Sequence, residues 1–176
     1  MQQKIVLIGG PGTGKSSILR ELINQGYNCM PEISREVILK AQKEGIDQLF
    51  LEQPLLFSQM LLEGRELQYL EAEKSNTDIV FFDRGIPDVH AYMNYLGNEY
   101  PPIYREKSNQ YLYTKVFMCA PWQKIYKSDN ERYESYEQAV EIDTYLKAAY
   151  KEIGYEIIDV PFDTIKKRCD FILQSL

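Results

Sequence analysis

Apolar and polar positions follow two rhythms along the chain. Five short runs are almost continuously apolar and rich in β-branched or aromatic residues: Lys4–Ile8, Asn28–Met30, Ile79–Phe82, Lys115–Cys119 and Glu156–Val160. Continuous apolarity marks strands covered on both faces, as in a parallel sheet. Between them the period lengthens to that of a helix. Ile18, Leu19, Leu22 and Ile23 share one face of a helix predicted over Lys15–Gln25 and stopped by Gly26. Further helices are predicted from about Ser34 to Glu44, from Glu52 to Lys74 with Leu55, Leu56, Met60, Leu62, Leu67 and Leu70 as its apolar stripe, and from Pro87 to Leu96 before Gly97. A helical stretch at Trp122–Tyr126 leads into a polar connection. Ser135 and Gln138 have the spacing of a capping box for a helix running to about Ile153, and Asp163 is expected to cap a last helix, Thr164–Leu173. Strand and helix alternating throughout predict a layered α/β fold around a parallel sheet. No repeat or low-complexity linker interrupts it.

The 176 residues fit one domain, 1–176, large enough for a real core, and 44% hydrophobic and 26% charged content is ordinary for a globular chain. A net charge of −6 without a basic block argues against nucleic acid or an anionic membrane surface as partner. The apolar runs are too short to span a bilayer, and Met1-Gln2-Gln3 leads straight into a strand, so no signal peptide is expected. Cys29, Cys119 and Cys169 are odd in number and far apart, which suits free thiols in a cytoplasmic protein. With His90 as its single histidine the chain has little from which to build a zinc site.

The chemistry begins directly behind the first strand. Gly9-Gly10-Pro11-Gly12-Thr13-Gly14-Lys15-Ser16 satisfies G-x-x-x-x-G-K-[S/T]. Such a loop wraps its backbone N–H groups around a phosphate, its lysine reaches the β/γ oxygens, and its hydroxyl completes a Mg²⁺ shell. Gly10, Gly12, Thr13, Gly14, Lys15, Ser16 and Ser17 are therefore the candidate binding set for ATP or GTP, with the positive end of the following helix against the same phosphates. A second carboxylate, Asp83, ends the run Thr77-Asp78-Ile79-Val80-Phe81-Phe82. It stands where a metal-holding acid belongs opposite Ser16; a helix-capping aspartate is the alternative. Arg84 follows it, where ATP-driven motors usually carry a water-activating glutamate.

The ordered set Gly9–Ser16, Pro31-Glu32-Ile33-Ser34-Arg35-Glu36, Asp83-Arg84-Gly85-Ile86-Pro87-Asp88, Pro121-Trp122, Glu131-Arg132-Tyr133, Gly154-Tyr155 and Val160-Pro161 resembles the P-loop kinases of nucleosides and nucleotides. It is similar to small AAA-like ATPases, to thymidylate kinases and to the ribosylnicotinamide kinase domain of bacterial NAD regulators. The resemblance implies a five-stranded parallel sheet in the order 2-3-1-4-5 with a lid at about 122–135. It also implies a Mg²⁺-dependent phosphotransferase, monomeric or homodimeric, with a nucleoside triphosphate and a small-molecule acceptor as partners.

Glu32 then corresponds to an acid that accepts the proton of the acceptor hydroxyl, or else is a surface glutamate before a helix. Arg35 would clamp a substrate phosphate, fix Glu32 through an ion pair, or be solvated. Gln59, placed between Leu56 and Leu62, would read a base edge or carboxamide, or be a satisfied structural amide. Arg84 and Asp88, with Tyr92 and Tyr95, would line the acceptor pocket. Arg132, with Lys124 and Lys127 nearby, would be the lid arginine that meets the transferring phosphoryl group. A regulatory nucleotide-binding protein with little turnover is the competing class. Neither a guanine-reading Asn-Lys-x-Asp motif nor an Asp-Glu pair is present, which disfavours Ras-like switches and oligomeric AAA motors.

Overall fold

The computed structural model describes residues 2–46, 49–126 and 135–176. Its elements follow in the order β1 (Gln3–Ile8), α1 (Lys15–Asn24), β2 (Asn28–Met30), α2 (Ser34–Lys43), α3 (Leu49–Glu52), α4 (Pro54–Lys74), β3 (Ile79–Asp83), α5 (Ile86–Tyr95), α6 (Ile103–Gln110), β4 (Lys115–Met118), α7 (Tyr136–Ile153), β5 (Ile157–Asp159) and α8 (Ile165–Gln174). The five strands pair in parallel in the order β2-β3-β1-β4-β5, as expected. β1 is the centre: it is bonded to β3 on one side and β4 on the other, so the chain leaves it at the point where the strand order reverses.

The sheet is covered on both faces, which is why its strands read as unbroken apolar runs. Ile5, Leu7, Phe81 and Phe117 pack with Ile18, Leu22 and Ile172 of α1 and α8. Val6, Ile8, Val80, Phe82 and Val116 pack on the opposite face with Tyr69, Ala72, Ile142, Leu146 and Tyr150. A third apolar cluster joins α2 to α4, α5 and α6 through Val37, Leu62, Val89 and Tyr104. No helix among the described residues is long and apolar enough to cross a membrane.

Three expectations about helices are corrected. The long helix begins at Pro54, two residues late, because the proline takes the first-turn position behind the separate turn α3. Trp122–Tyr126 forms a turn, with Ile125 N–H donating to Trp122 O at 3.1 Å, and no helix. Thr164 rather than Asp163 caps α8: its hydroxyl accepts from Lys167 N–H, while Asp163 accepts from Thr164 N–H at 2.7 Å and pairs with Lys167. The capping box at Ser135 and Gln138 is present.

His90 is packed between α5 and α6, where its Nδ1 lies 3.2 Å from Ser108 Oγ. The Ser108 hydroxyl donates to Tyr104 O at 2.9 Å, so its oxygen is left to accept from Nδ1–H of a neutral ring. Burial, and then the nearby Arg105 charge, push the imidazole down to about 4 against a weaker pull from Glu152. The unfolded chain binds a proton between about pH 6.5 and 4 that the folded chain refuses. Folding stability is therefore expected to be complete above that window and to fall by up to about 3 kcal/mol as pH drops through it. Denaturant midpoints of the wild type and His90→Gln between pH 7 and 4.5 test this. Parallel pH dependence in the two proteins would remove His90 from the account.

Candidate functional site

All five strands point their C-terminal ends the same way, so the segments after β1, β2 and β3 meet at one edge of the sheet. The loop after β1 folds against itself: Lys15 Nζ donates to Gly9 O at 2.7 Å and Gly10 O at 3.0 Å, and the Thr13 hydroxyl donates to Gly10 O at 3.0 Å. Gly14 caps α1 in the left-handed region, φ +89°, a conformation costly for residues with a Cβ. No acidic residue occupies the first turn of α1, so its positive end is left for an anion. Burial, with Arg84 acting the same way, pushes the Lys15 ammonium down, against Asp83, Cys119 and Glu32.

Opposite this loop lies a buried cluster of alternating charge. Glu32, just past β2, accepts from Ser34 N–H and from Arg65 Nη2, each at 3.1 Å. Its other oxygen, Oε2, is 2.5 Å from Arg84 Nε, an ion pair not aligned as a hydrogen bond. Arg65, on α4, also donates to Gly85 O at 3.1 Å. Burial raises the Glu32 carboxyl, but Arg65, Arg84, the Ser34 N–H and Lys15 outweigh it and hold the group at about 2.

Arg84 has φ +71°, and no other non-glycine residue among those described has positive φ. That conformation costs about 1–2 kcal/mol, and it is held where the chain turns from β3 into α5. The Arg84 N–H donates to Leu7 O at 3.0 Å, and its Nη1 donates to the Tyr92 hydroxyl at 2.9 Å and lies 3.7 Å from Asp88 Oδ1.

Asp88 is locked from behind: Oδ2 accepts from Gly85 N–H at 2.9 Å and from the Tyr150 hydroxyl of α7 at 2.6 Å. A Cβ on Gly85 would sit 2.8 Å from a Tyr113 ring carbon, so a glycine is needed for the two tyrosines to close on this turn. The Tyr113 hydroxyl in turn accepts from Ile86 N–H at 3.1 Å. Asp83 ends β3 with its carboxyl raised, chiefly by burial and less by Glu32, against Lys15 and Arg84.

Three buried carboxylate oxygens here, Glu32 Oε2, Asp83 Oδ1 and Asp88 Oδ1, have no hydrogen bond among the described residues. Arg84 supplies a cation to Glu32 Oε2 and Asp88 Oδ1, so it is Asp83 Oδ1 that still calls for a donor or a cation. For Mg²⁺, a hard ion that takes few carboxylates and leans on phosphate oxygens, Asp83 Oδ1 and the Ser16 hydroxyl are fitting ligands.

The structure thus brings together Lys15, Glu32, Asp83, Arg84 and Asp88. It does not bring in Gln59, expected on a buried face; that residue is exposed and donates to Glu63 Oε1 at 3.0 Å. Arg35 is exposed on α2, and the arginines found on Glu32 are Arg65 and Arg84. Lys124 is exposed; Lys127 and Arg132 lie outside the described residues. Arg65, Tyr113 and Tyr150 were not anticipated. Arg65 was detectable from phase: it shares a helical face with Ser58, Leu61, Leu62, Gln68, Tyr69 and Ala72, the buried side of α4, while Leu55, Leu56 and Leu67 are exposed. A groove of about 340 Å³ flanked by Pro31, Ile33, Leu67 and Gln68 lies beside the cluster, but none of the charged residues above lines it.

A family model described as an AAA domain matches residues 4–168. No curated protein sequence matches at a significant level. Among solved structures, a deoxyadenosine kinase from M. mycoides with the products dCMP and a flexible dCDP bound superposes with a TM-score of 0.72 at 19% identity, over 98% of each chain. The NadR protein in complex with NR superposes with a TM-score of 0.75 at 18% identity, over 98% of this chain and 51% of NadR. At such identities the likeness carries the fold, and the family match carries the membership. The chain belongs to this AAA-domain family and shares its fold with the deoxyadenosine kinase and NadR structures.

Proposed function

We propose that the protein moves the γ-phosphoryl group of ATP or GTP to a hydroxyl of a small, nucleoside-like acceptor. The observation that carries this reading is the buried Asp83 carboxylate, coupled to the loop lysine and to Glu32, whose Oδ1 has neither a hydrogen bond nor an ion pair among the described residues. A metal ion would satisfy it, and the neighbouring Glu32, held by two arginines, is available to a substrate hydroxyl. The fold neighbours solved with dCMP and with NR support a nucleoside-like acceptor.

Lys15 and the N–H groups of the loop hold the β and γ phosphates. Mg²⁺, held by Ser16 and Asp83, would neutralise charge on the transferring group. Glu32 accepts the acceptor's hydroxyl hydrogen bond and fixes its line of attack. Arg65 and Arg84 hold it in the charged form, so it can accept that hydrogen bond throughout. Arg65 holds Glu32, and Arg84 links Glu32 to Asp88. Arg132 is assigned as the arginine that meets the phosphoryl group, a contact contributing about 4–7 kcal/mol if it acts as an arginine finger. Free thiols at Cys29, Cys119 and Cys169 suit a reducing cytoplasm.

The test is a screen of nucleosides, nucleotides and vitamin-like acceptors with ATP and GTP, scored as nucleoside diphosphate formed above the no-acceptor background. Absence of any acceptor would replace the kinase reading by regulated nucleotide binding. Within the same assay Asp83→Asn is expected to lower Mg²⁺-dependent turnover. Because burial already disfavours the Asp83 charge, its melting temperature should be unchanged or higher. An unaltered metal titration with a lowered melting temperature would make Asp83 a structural cap.

A further inference from the structure

Behind the phosphate loop lies a charge that the proposed mechanism does not use. Arg168, on α8, is 2% exposed, and its Nη1 donates to Thr13 O at 3.0 Å across 155 residues of chain. Its Nε and Nη2 have no hydrogen bond, and it has no carboxylate partner among the described residues. Anchoring α8 does not require this: Cys169 and Ile172 already pack it against α1 and the sheet. A methionine at 168 would fill similar space without burying a cation that cannot give up its proton.

The bond to Thr13 explains its use. The Thr13 C=O and the Gly14 N–H belong to one planar trans peptide unit and so point in opposite directions. Holding the carbonyl outside the loop turns the Gly14 N–H inward, and no hydrogen bond from that N–H is made among the described residues. A charged donor on the carbonyl also polarises the unit, which strengthens the N–H on its other end. Gly14 makes room for this arrangement, since a Cβ there would lie 2.6 Å from Arg168 Nη1.

We infer that Arg168 is a positioning residue for triphosphate binding, acting through the Thr13–Gly14 peptide; this rests on the phosphate-binding reading of the loop. The experiment compares wild type, Arg168→Met and Arg168→Lys by calorimetry with ATP and with inorganic tripolyphosphate. In parallel, the Gly14 amide resonance is followed in the ligand-free proteins. Arg168→Met is expected to fold, to shift the Gly14 amide, and to bind both probes about 10–100-fold more weakly. Arg168→Lys, which keeps the charge without the planar fork, should show a smaller change in both readouts. Wild-type affinity or an unmoved Gly14 amide in folded Arg168→Met overturns the inference. If the methionine variant does not fold, the same result in Arg168→Lys overturns it. Failure of the wild type itself to bind either probe would overturn the proposed function, and this inference with it.

Discussion

Glutamine in place of Glu32 is expected to lower single-turnover phosphoryl transfer by about 10²–10⁴-fold, with ATP affinity nearly intact. The substitution keeps the shape and one acceptor oxygen but removes the charge proposed to hold the substrate hydroxyl. It also removes the counter-charge of Arg65, 3.1 Å away, and of Arg84, 2.5 Å away. Two largely buried guanidinium groups are then left facing a neutral amide, a loss of up to about 3 kcal/mol of folding stability. Turnover must therefore be measured well below the melting temperature, on the acceptor that the screen identifies. Glu32 would be reduced to an anchor for the two arginines if the variant turned over at the wild-type rate.

Alanine in place of Lys15 is expected to weaken triphosphate binding and to lower turnover by about 10²–10³-fold, the scale of losing one fixed charge-stabilising donor. The side chain is held by two carbonyls of its own loop. Removing it takes away the main cation for the β and γ oxygens and leaves the buried carbonyls of Gly9 and Gly10 without their ammonium. Calorimetry with ATP alongside single-turnover transfer checks both effects. Wild-type affinity and turnover together would end the phosphate-loop assignment.

The sheet was legible because β1, β3 and β4 are buried on both faces, and even the half-buried edge strand Asn28–Met30 stood out from the helical periods around it. The phosphate loop was legible for a different reason: its chemistry needs particular residues at fixed spacing. α6 was missed because Ile103–Gln110 buries little beyond Tyr104 and Ser108 and shows no apolar stripe. In α4, Leu55, Leu56 and Leu67 pointed to the wrong face. Its buried side carries Ser58, Arg65 and Gln68, polar groups drawn inward by Met93 Sδ, by Glu32 with the Gly85 carbonyl, and by the Pro31 carbonyl. A hydrophobic pattern reads burial from apolarity, so it fails where a site makes polar burial favourable. Gln59 was assigned to that face by the same error. Arg168 escaped notice for a related reason, because a single arginine beside Cys169 and Ile172 reads as the edge of a solvent face.

The central place of β1 also matters while the chain is being made. β1 is the earliest strand in the sequence, yet both of its neighbours, Ile79–Asp83 and Lys115–Met118, come much later. Until they emerge, Ile5–Ile8 has two bare edges, although all four residues end fully buried. Pairings this distant in sequence form slowly, and an unpaired apolar strand is a template for aggregation. A nascent chain stopped before residue 79 would carry the complete phosphate loop behind a strand with no partner. During synthesis, the strand that leads into the phosphate loop is thus left without a sheet partner until Ile79–Asp83 has emerged.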